Sequence, residues 1–418
     1  MRIFNRKPIG LIFHCVLGLF ALLACRADAQ NISTKTARTT EMTLTTSSTY
    51  PVNFASPRRD CAIPATTSAK GAIAWSHETG KTASANWPPA ILIWGSHVLV
   101  TTFADMVLFD RSGKILWEKG KQGGTPAAVA NGLVYYKNKT LFLDAVNLNN
   151  EAVLQQAPFP SAMSKDVVVH ILWPGDKDFI AAVYWPGEAE VADGDDPDTK
   201  LRPPEVTGVR NAYGTTYREW GATYKGPPRL LPLLLPELNR LVLVTDEVIR
   251  LDVAGEKELS RFKLPLGEVV DWSVDSREIY YLTSYEAKNK VLLALSAEGR
   301  ELWRWTDKDH PDDPWARRQP PIQAWQGRIQ VLTERWVLTL KEGKLLWAIE
   351  TKGETIRHGS ALADGSLLVT AGKTLSHIDV DGRKFFSVQL DKDILSPPVV
   401  DAEGNIYVAT ESHLVQIH

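Results

Sequence analysis

A glycine followed four residues later by a large side chain, usually aromatic, recurs along this chain and limits its architecture more than any other feature. It reads "GAIAW" at Gly71, "GKILW" at Gly113, "GRELW" at Gly299, "GKLLW" at Gly343 and "GRKFF" at Gly382, with a weaker "GEKEL" at Gly255. The last four glycines in chain order are 44, 44 and 39 residues apart, the size of a four-stranded propeller blade. A second echo lies upstream of the first: a proline and, six residues on, a glycine before an alternating apolar run. Examples are "PAILIWG" at Pro89, "PAAVANG" at Pro126, "PIQAWQG" at Pro321 and "PVVDAEG" at Pro398. Two turn glycines per unit delimit two hairpins, because tight hairpins need the positive φ that glycine supplies. Alternation in "HVLVTTF" and "NIYVATE" predicts half-buried strands. The aromatic after each turn is expected to pack between successive sheets.

The fold class read from this pattern is all-β: a propeller of four-stranded antiparallel blades over residues 69–418. Its turn positions fall at 71, 113, about 150, near 208, 255, 299, 343 and 382, which gives eight blades. Seven is the alternative, since 170–228 divides in more than one way. The first marker has no strand pair before it, and the last unit, from Pro398 to His418, has no marker after it. The expectation is a closed ring in which the N-terminal segment completes the C-terminal blade and covers an edge that would otherwise aggregate.

Upstream of the repeat the composition changes. Arg2, Arg6 and Lys7 precede the apolar run "IGLIFHCVLGLFALLA" and a small-residue "ADA", so residues 1–29 read as a secretory signal peptide. Two cleavage readings stay open: after Ala29, releasing a soluble form, or before Cys25, where "LLAC" resembles a lipoprotein box and Cys25 becomes lipidated. Residues 30–68 begin with "NISTKTARTTEMTLTTSSTY" and read as a flexible Ser/Thr-rich tether. Export places the protein in the periplasm, on the outer membrane or outside the cell. Cys61 is then the only cysteine left in the mature chain, so no disulfide forms within it. The formal charge of -2 comes from interspersed acids and bases and offers no basic face for nucleic acid.

"DRSGKILW" (Asp110–Trp117), "GRELW" and "GKLLW", with the proline-led hairpins, resemble the repeat of pyrroloquinoline-quinone-type propellers over residues 71–418. The alanine that usually stands two before the aspartate is missing, and Ser112, Glu298, Glu342 or Asp381 replaces the threonine before the turn glycine. That family divides into quinoprotein dehydrogenases and cofactor-free propellers such as the lipoprotein of the outer-membrane β-barrel assembly machinery. Membership of the first group implies a quinone, a calcium ion, a general-base aspartate and often a disulfide of adjacent cysteines. No adjacent cysteines occur here, and the ring has little extra chain. The second group is the better resemblance and implies no cofactor; the quinone and calcium belong to the alternative.

Other chemistry finds no support in the residues. GxSxG, GxxxxGK[ST], HExxH and CxxC are all absent, the patterns that carry a nucleophile elbow, a phosphate loop and zinc ligands. "HIDVD" places His377, Asp379 and Asp381 on one strand face, but "DVDG" reads as a hairpin turn and one strand does not complete a metal shell. Two insertions attract more interest. Residues 187–224 hold an acidic cluster (Asp193, Asp195, Asp196, Asp198) and then Arg210, Tyr213, Tyr217, Trp220 and Tyr224. Residues 304–321, "RWTDKDHPDDPWARRQPP", hold Trp305, His310, Trp315, Arg317 and Arg318. Joining second to third strand in one case and blade to blade in the other, they would emerge on one face. Aromatic and Arg side chains on such loops are the types that anchor partners. The reading is a non-catalytic, monomeric scaffold that binds an envelope protein or polymer, touching a membrane only through an N-terminal lipid. A quinone-dependent enzyme and a glycan binder are the alternatives.

Overall fold

The structure is a computed structural model. It describes residues 62–63, 65–79, 89–102, 105–120, 128–130, 132–137, 142–150, 153–158, 168–175, 179–185, 205–212, 215–223, 233–235, 238, 240–244, 247–252, 257–265, 268–310, 312–316, 319–351 and 353–418, and between 153 and 223 the backbone alone. All lie in the compact unit Thr46–His418. Among them the protein is nearly all β, its helix limited to 3-10 turns such as Trp325–Gly327. No described helix is long and apolar enough to cross a membrane.

The strands form eight sheets in chain order: 90–120, 128–158, 168–223, 233–263, 268–307, 322–350, 356–389, and 399–417 joined by 73–78. Within each, consecutive strands pair antiparallel, as the two-hairpin unit requires. The first strands of the first four sheets touch in succession, as do those of the sixth and seventh, which places first strands at a hub and fourth strands at the rim. Apolar clusters join the first sheet to the second, the fourth to the fifth, the fifth to the sixth and the sixth to the seventh. Strand contacts link the second, third and fourth, and one cluster spans the seventh, eighth and first. The sheets therefore follow one another around a ring, and the fold is a β-propeller.

Closure happens where the repeat pattern placed it. Strand Ile73–Glu78 pairs antiparallel with His413–Ile417, Ile73 opposite Ile417 and Glu78 opposite His413. The backbone of Ala72 and His418 exchanges two hydrogen bonds, 2.8 and 2.9 Å.

The glycine-aromatic repeat has one physical cause. The aromatic on the rim strand of one sheet lies over the turn glycine of the next. A Cβ on Gly113 would sit 2.8 Å from Trp75, on Gly71 3.0 Å from Phe386, and on Gly382 3.2 Å from Trp347. Gly113 also has φ 86°, so the position needs both the left-handed conformation and the missing side chain. The indole N–H then donates to a carbonyl of that turn: Trp75 to Arg111 (3.3 Å), Trp117 to Leu148 (2.9 Å) and Trp347 to Val380 (3.0 Å). Trp117 is buried, whereas Trp75, Trp303, Trp347 and Phe386 are half-buried; the expected core aromatics are seam residues with one edge toward solvent.

A β-bulge follows the turn in every sheet, between its third and fourth strands. In the fifth, Trp303 pairs with Ala294 and Glu301 with Leu295, leaving Leu302 unpaired. The same slip leaves Ala74, Leu116, Leu154, Glu219, Leu259, Leu346 and Phe385 unpaired in the others.

The Ser/Thr-rich tether ends sooner than its composition suggests: within the expected span 30–68, Ala62–Ile63 pairs parallel with Ala361–Leu362 on the hub edge of the seventh sheet. Ile63 is buried there, and the Thr67 hydroxyl donates to the Gly404 carbonyl at 2.6 Å. Residues 187–224 are not one insertion, contrary to the expectation from their sequence. Glu205–Ala212 and Thr215–Thr223 are instead the third and fourth strands of the third sheet, their Val, Thr and Tyr supplying β-propensity that outweighs Asn, Gly and Arg between them.

Candidate functional site

The insertion after Asp307 leads from the rim of the fifth sheet to the hub strand of the sixth, and buried charge holds it in place. Lys290, wholly buried, lies 3.2 Å from Asp307, itself 1% exposed. Lys290 also donates to the carbonyls of His310 and Asp313 and sits 6.0 Å from the Trp315 ring centroid. Asp307 Oδ1 accepts the N–H of Asp309 and of His310, each at 3.2 Å, and meets His310 Nδ1 at 3.1 Å. Burial opposes ionisation of Asp307, but the Lys290 ammonium and then His310 outweigh it and hold the carboxyl below the ordinary carboxylate value. Asp313 fixes the far end, accepting from the Thr333 hydroxyl and lying 3.4 Å from Arg335 Nε. The loop is thus tied down at both ends by groups that do not reach solvent.

What it presents is an aromatic and cationic seam. The His310 ring packs at a tilt of 41° against Trp336, with centroids 4.1 Å apart. Trp305 and Trp336 are half-buried against the apolar cluster between the two sheets. The Arg335 side chain is 54% exposed while its Nε faces Asp313. Buried Asp307 orients a partly exposed imidazole, which gives the seam a directed ring, two indoles and a guanidinium.

Of the residues expected to contact a partner, Trp305 and His310 meet here. Trp315 does not project: it is 4% exposed, its indole N–H donates to the Ser284 carbonyl and its backbone N–H to the Tyr285 hydroxyl, both at 3.0 Å. Its apolar area is worth more in the seam than in water. Arg317 and Arg318 lie outside the described residues, as do Tyr213, Tyr224 and the acidic cluster 193–198. Arg210 pairs with Tyr217 across the outer hairpin of the third sheet, and Trp220 with Gly208, so these three are strand residues and not loop residues. Trp336 and Arg335 were missed, since "TERWVLTL" reads as an ordinary strand start and only the tertiary fold brings it to His310. His377 and Asp379 behave as the hairpin reading required: Asp379 Oδ1 accepts the N–H of Asp381 (2.9 Å) and Arg383 (2.7 Å), and His377 meets the Ser366 hydroxyl at 2.8 Å.

The hub differs in character. Its first strands carry three buried polar atoms without a protein hydrogen-bond partner among the described residues: Ser273 Oγ, Gln323 Nε2 and His358 Nδ1. No group of three His, Cys, Asp or Glu side chains among the described residues is placed to hold a metal ion, and adjacent cysteines are absent from the sequence.

No protein-family model matches the chain, and no curated protein matches it in sequence. Solved structures do match it in fold. Quinohemoprotein alcohol dehydrogenase from Comamonas testosteroni superposes with a TM-score of 0.65 at 11% identity, over 94% of this chain and 84% of that one. A europium-containing methanol dehydrogenase gives 0.61 at 11% identity, over 88% and 90%. BamB from Moraxella catarrhalis gives 0.45 at 12% identity, over 79% and 81%, too loose a likeness to support an inference. At these identities the likeness concerns the fold, a pyrroloquinoline-quinone-like β-propeller.

Proposed function

We propose that this propeller is a non-catalytic scaffold exported to the cell envelope, where it docks an envelope protein through the seam between its fifth and sixth sheets. The observation that supports this reading is the pairing of half-exposed Trp305, His310, Trp336 and Arg335 with a loop braced by Lys290, Asp307 and Asp313. Trp and Arg dominate binding hot spots, and a loop ordered beforehand loses little entropy on docking. The charged start and apolar run of residues 1–29 support export, and Cys25 is the proposed lipid attachment site; mass spectrometry of the mature N-terminus distinguishes a diacylated Cys25 from a free Gln30. The cofactor-free branch of the resemblance agrees with this role, and the ring is proposed to act as a monomer.

A photo-crosslinking residue placed at Arg335 in cells tests the docking. The expected result is one specific envelope protein, lost when His310 and Trp336 are both changed to alanine. Adducts identical in parent and double variant, together with binding to a glycan array, would favour the sugar-binding alternative.

A second reading is small-ligand binding at the hub, favoured by the three unpartnered polar atoms there. Titration of the purified protein with pyrroloquinoline quinone and calcium checks it: a saturable chromophore supports an enzyme, and a flat titration removes it.

A further inference from the structure

We infer that the rim between the sixth and seventh sheets carries a second interaction surface, fitted to an extended acidic segment of a partner protein that also bears apolar side chains. It rests on observations independent of the docking seam.

The bulge after each turn takes one rim residue out of the pairing and turns it outward. In the sixth and seventh sheets those residues are Leu346 and Phe385, 47% and 68% exposed. Leu345, beside Leu346, is also an exposed large apolar residue. Trp347, next in chain to Leu346, lies over Gly382, three residues before Phe385, so the two bulges belong to one seam. The Phe385 ring is held rather than loose, its centroid 5.0 Å from that of His377. Single exposed leucines are ordinary on a soluble protein, whereas here three exposed large apolar residues stand on the bulged strands that flank one seam.

Charge selects the occupant. The two turns beneath these side chains read "KEGK" (341–344) and "DGRK" (381–384), with Lys341, Lys344, Arg383 and Lys384 against Glu342 and Asp381, all exposed. The four cations make no ion pair among the described residues, while nearby Asp379 is turned inward to accept backbone N–H groups of its own turn. The patch thus combines an excess of available positive charge with apolar side chains, the complement of an acidic, apolar chain. A flat anionic bilayer fits less well, because Glu342 and Asp381 project from the same turns and a plane cannot avoid them. An extended segment passes between them. The bulge also interrupts the strand edge, so contact runs through side chains and not through ladder hydrogen bonds.

The test uses the full chain with three probes: a fluorescent peptide of Asp and Glu interspersed with Leu and Phe, its Lys-substituted counterpart, and phosphatidylglycerol vesicles. Fluorescence anisotropy is expected to show saturable, salt-sensitive binding of the acidic peptide alone. Phe385→Ser with Leu346→Ser, and separately Lys344→Glu with Arg383→Glu, should each weaken it by about tenfold or more. All four side chains are exposed, so both variants should melt like the parent. Trp336→Ala should bind the peptide normally, which separates failure of this surface from failure of the docking seam. Equal binding by parent and both variants, binding of vesicles in place of peptide, or a dimer abolished by the Ser variant would each overturn the inference.

Discussion

Two seams of the ring use the same device and differ in what surrounds it. Where the eighth sheet meets the first, Trp75 lies on Gly113 and donates to the Arg111 carbonyl, with Phe109, His77 and Tyr407 near the indole, and the one ion pair that crosses the seam among the described residues, Arg111 with Glu403, is partly exposed. Where the fifth meets the sixth, Trp303 lies against Gly343 in the same way, but the seam also buries a lysine and two aspartates. Burying an ion pair is rarely the cheapest route to stability, since well-packed apolar residues of similar volume do as well or better. The closing seam shows that this fold can join sheets without a fully buried ion pair. The Lys290 network is therefore better explained by what it holds, the loop carrying His310, than by what it contributes to folding.

The sharpest way to break this contrast is Lys290→Met. It strands Asp307 in the interior and should cost about 3–5 kcal/mol in urea unfolding, while Lys290→Met with Asp307→Leu should recover most of the loss. Recovery of stability without recovery of partner binding would separate the two roles of the network.

Acid should act next, away from both seams. Burial holds the His358 imidazole down to about 4, with Arg357 adding to the effect and a hydrogen bond to the Leu395 carbonyl opposing it. A histidine lowered on folding stabilises the protein fully above its unfolded value near 6.5, and that contribution is lost as pH falls toward 4. The expected loss across this window is about 3 kcal/mol, and His358→Gln should flatten that part of the stability profile.

The closing seam makes a smaller prediction by contrast between two glycines. Gly113→Ala combines positive φ with a Cβ driven into Trp75 and His77, for about 2–4 kcal/mol. Gly95→Ala has positive φ and nothing within 4 Å, so only the strain, about 1 kcal/mol, remains. Equal melting temperatures for the two would refute the docking account of the repeat. Smallest of all is Trp336→Ala, whose half-buried ring should shift stability by about 1 kcal/mol while abolishing crosslinking at the seam.

The ring was legible in the sequence because each unit repeats a steric requirement, glycine beneath an aromatic, at nearly constant spacing. Legibility failed where that requirement is met by other residues. In the fourth sheet the marker "GEKEL" pointed to Leu259, which is the bulged residue, and the aromatic facing Gly299 is Phe262, three positions later. In the second sheet Asn149 stands in the turn near which Trp117 docks on Leu148. The outer hairpin of the third sheet, with Gly208 and Asn211 inside Glu205–Ala212, carries too weak a strand pattern to be told from loop. At the candidate site His310 and Trp305 were visible as an aromatic-rich insertion. Arg335 and Trp336 come from the next sheet, and the burial of Trp315 depends on Ser284 and Tyr285, contacts that no local pattern encodes.

Residue-resolved amide hydrogen exchange tests the ring most directly. Closure predicts that the amides of Ala72, Thr79 and His418, which donate to His418, Ser412 and Ala72, are protected together with the strand Ile406–Ala409 of the same sheet. Exchange of all three at unfolded-chain rates, with Ile406–Ala409 still protected, would contradict it.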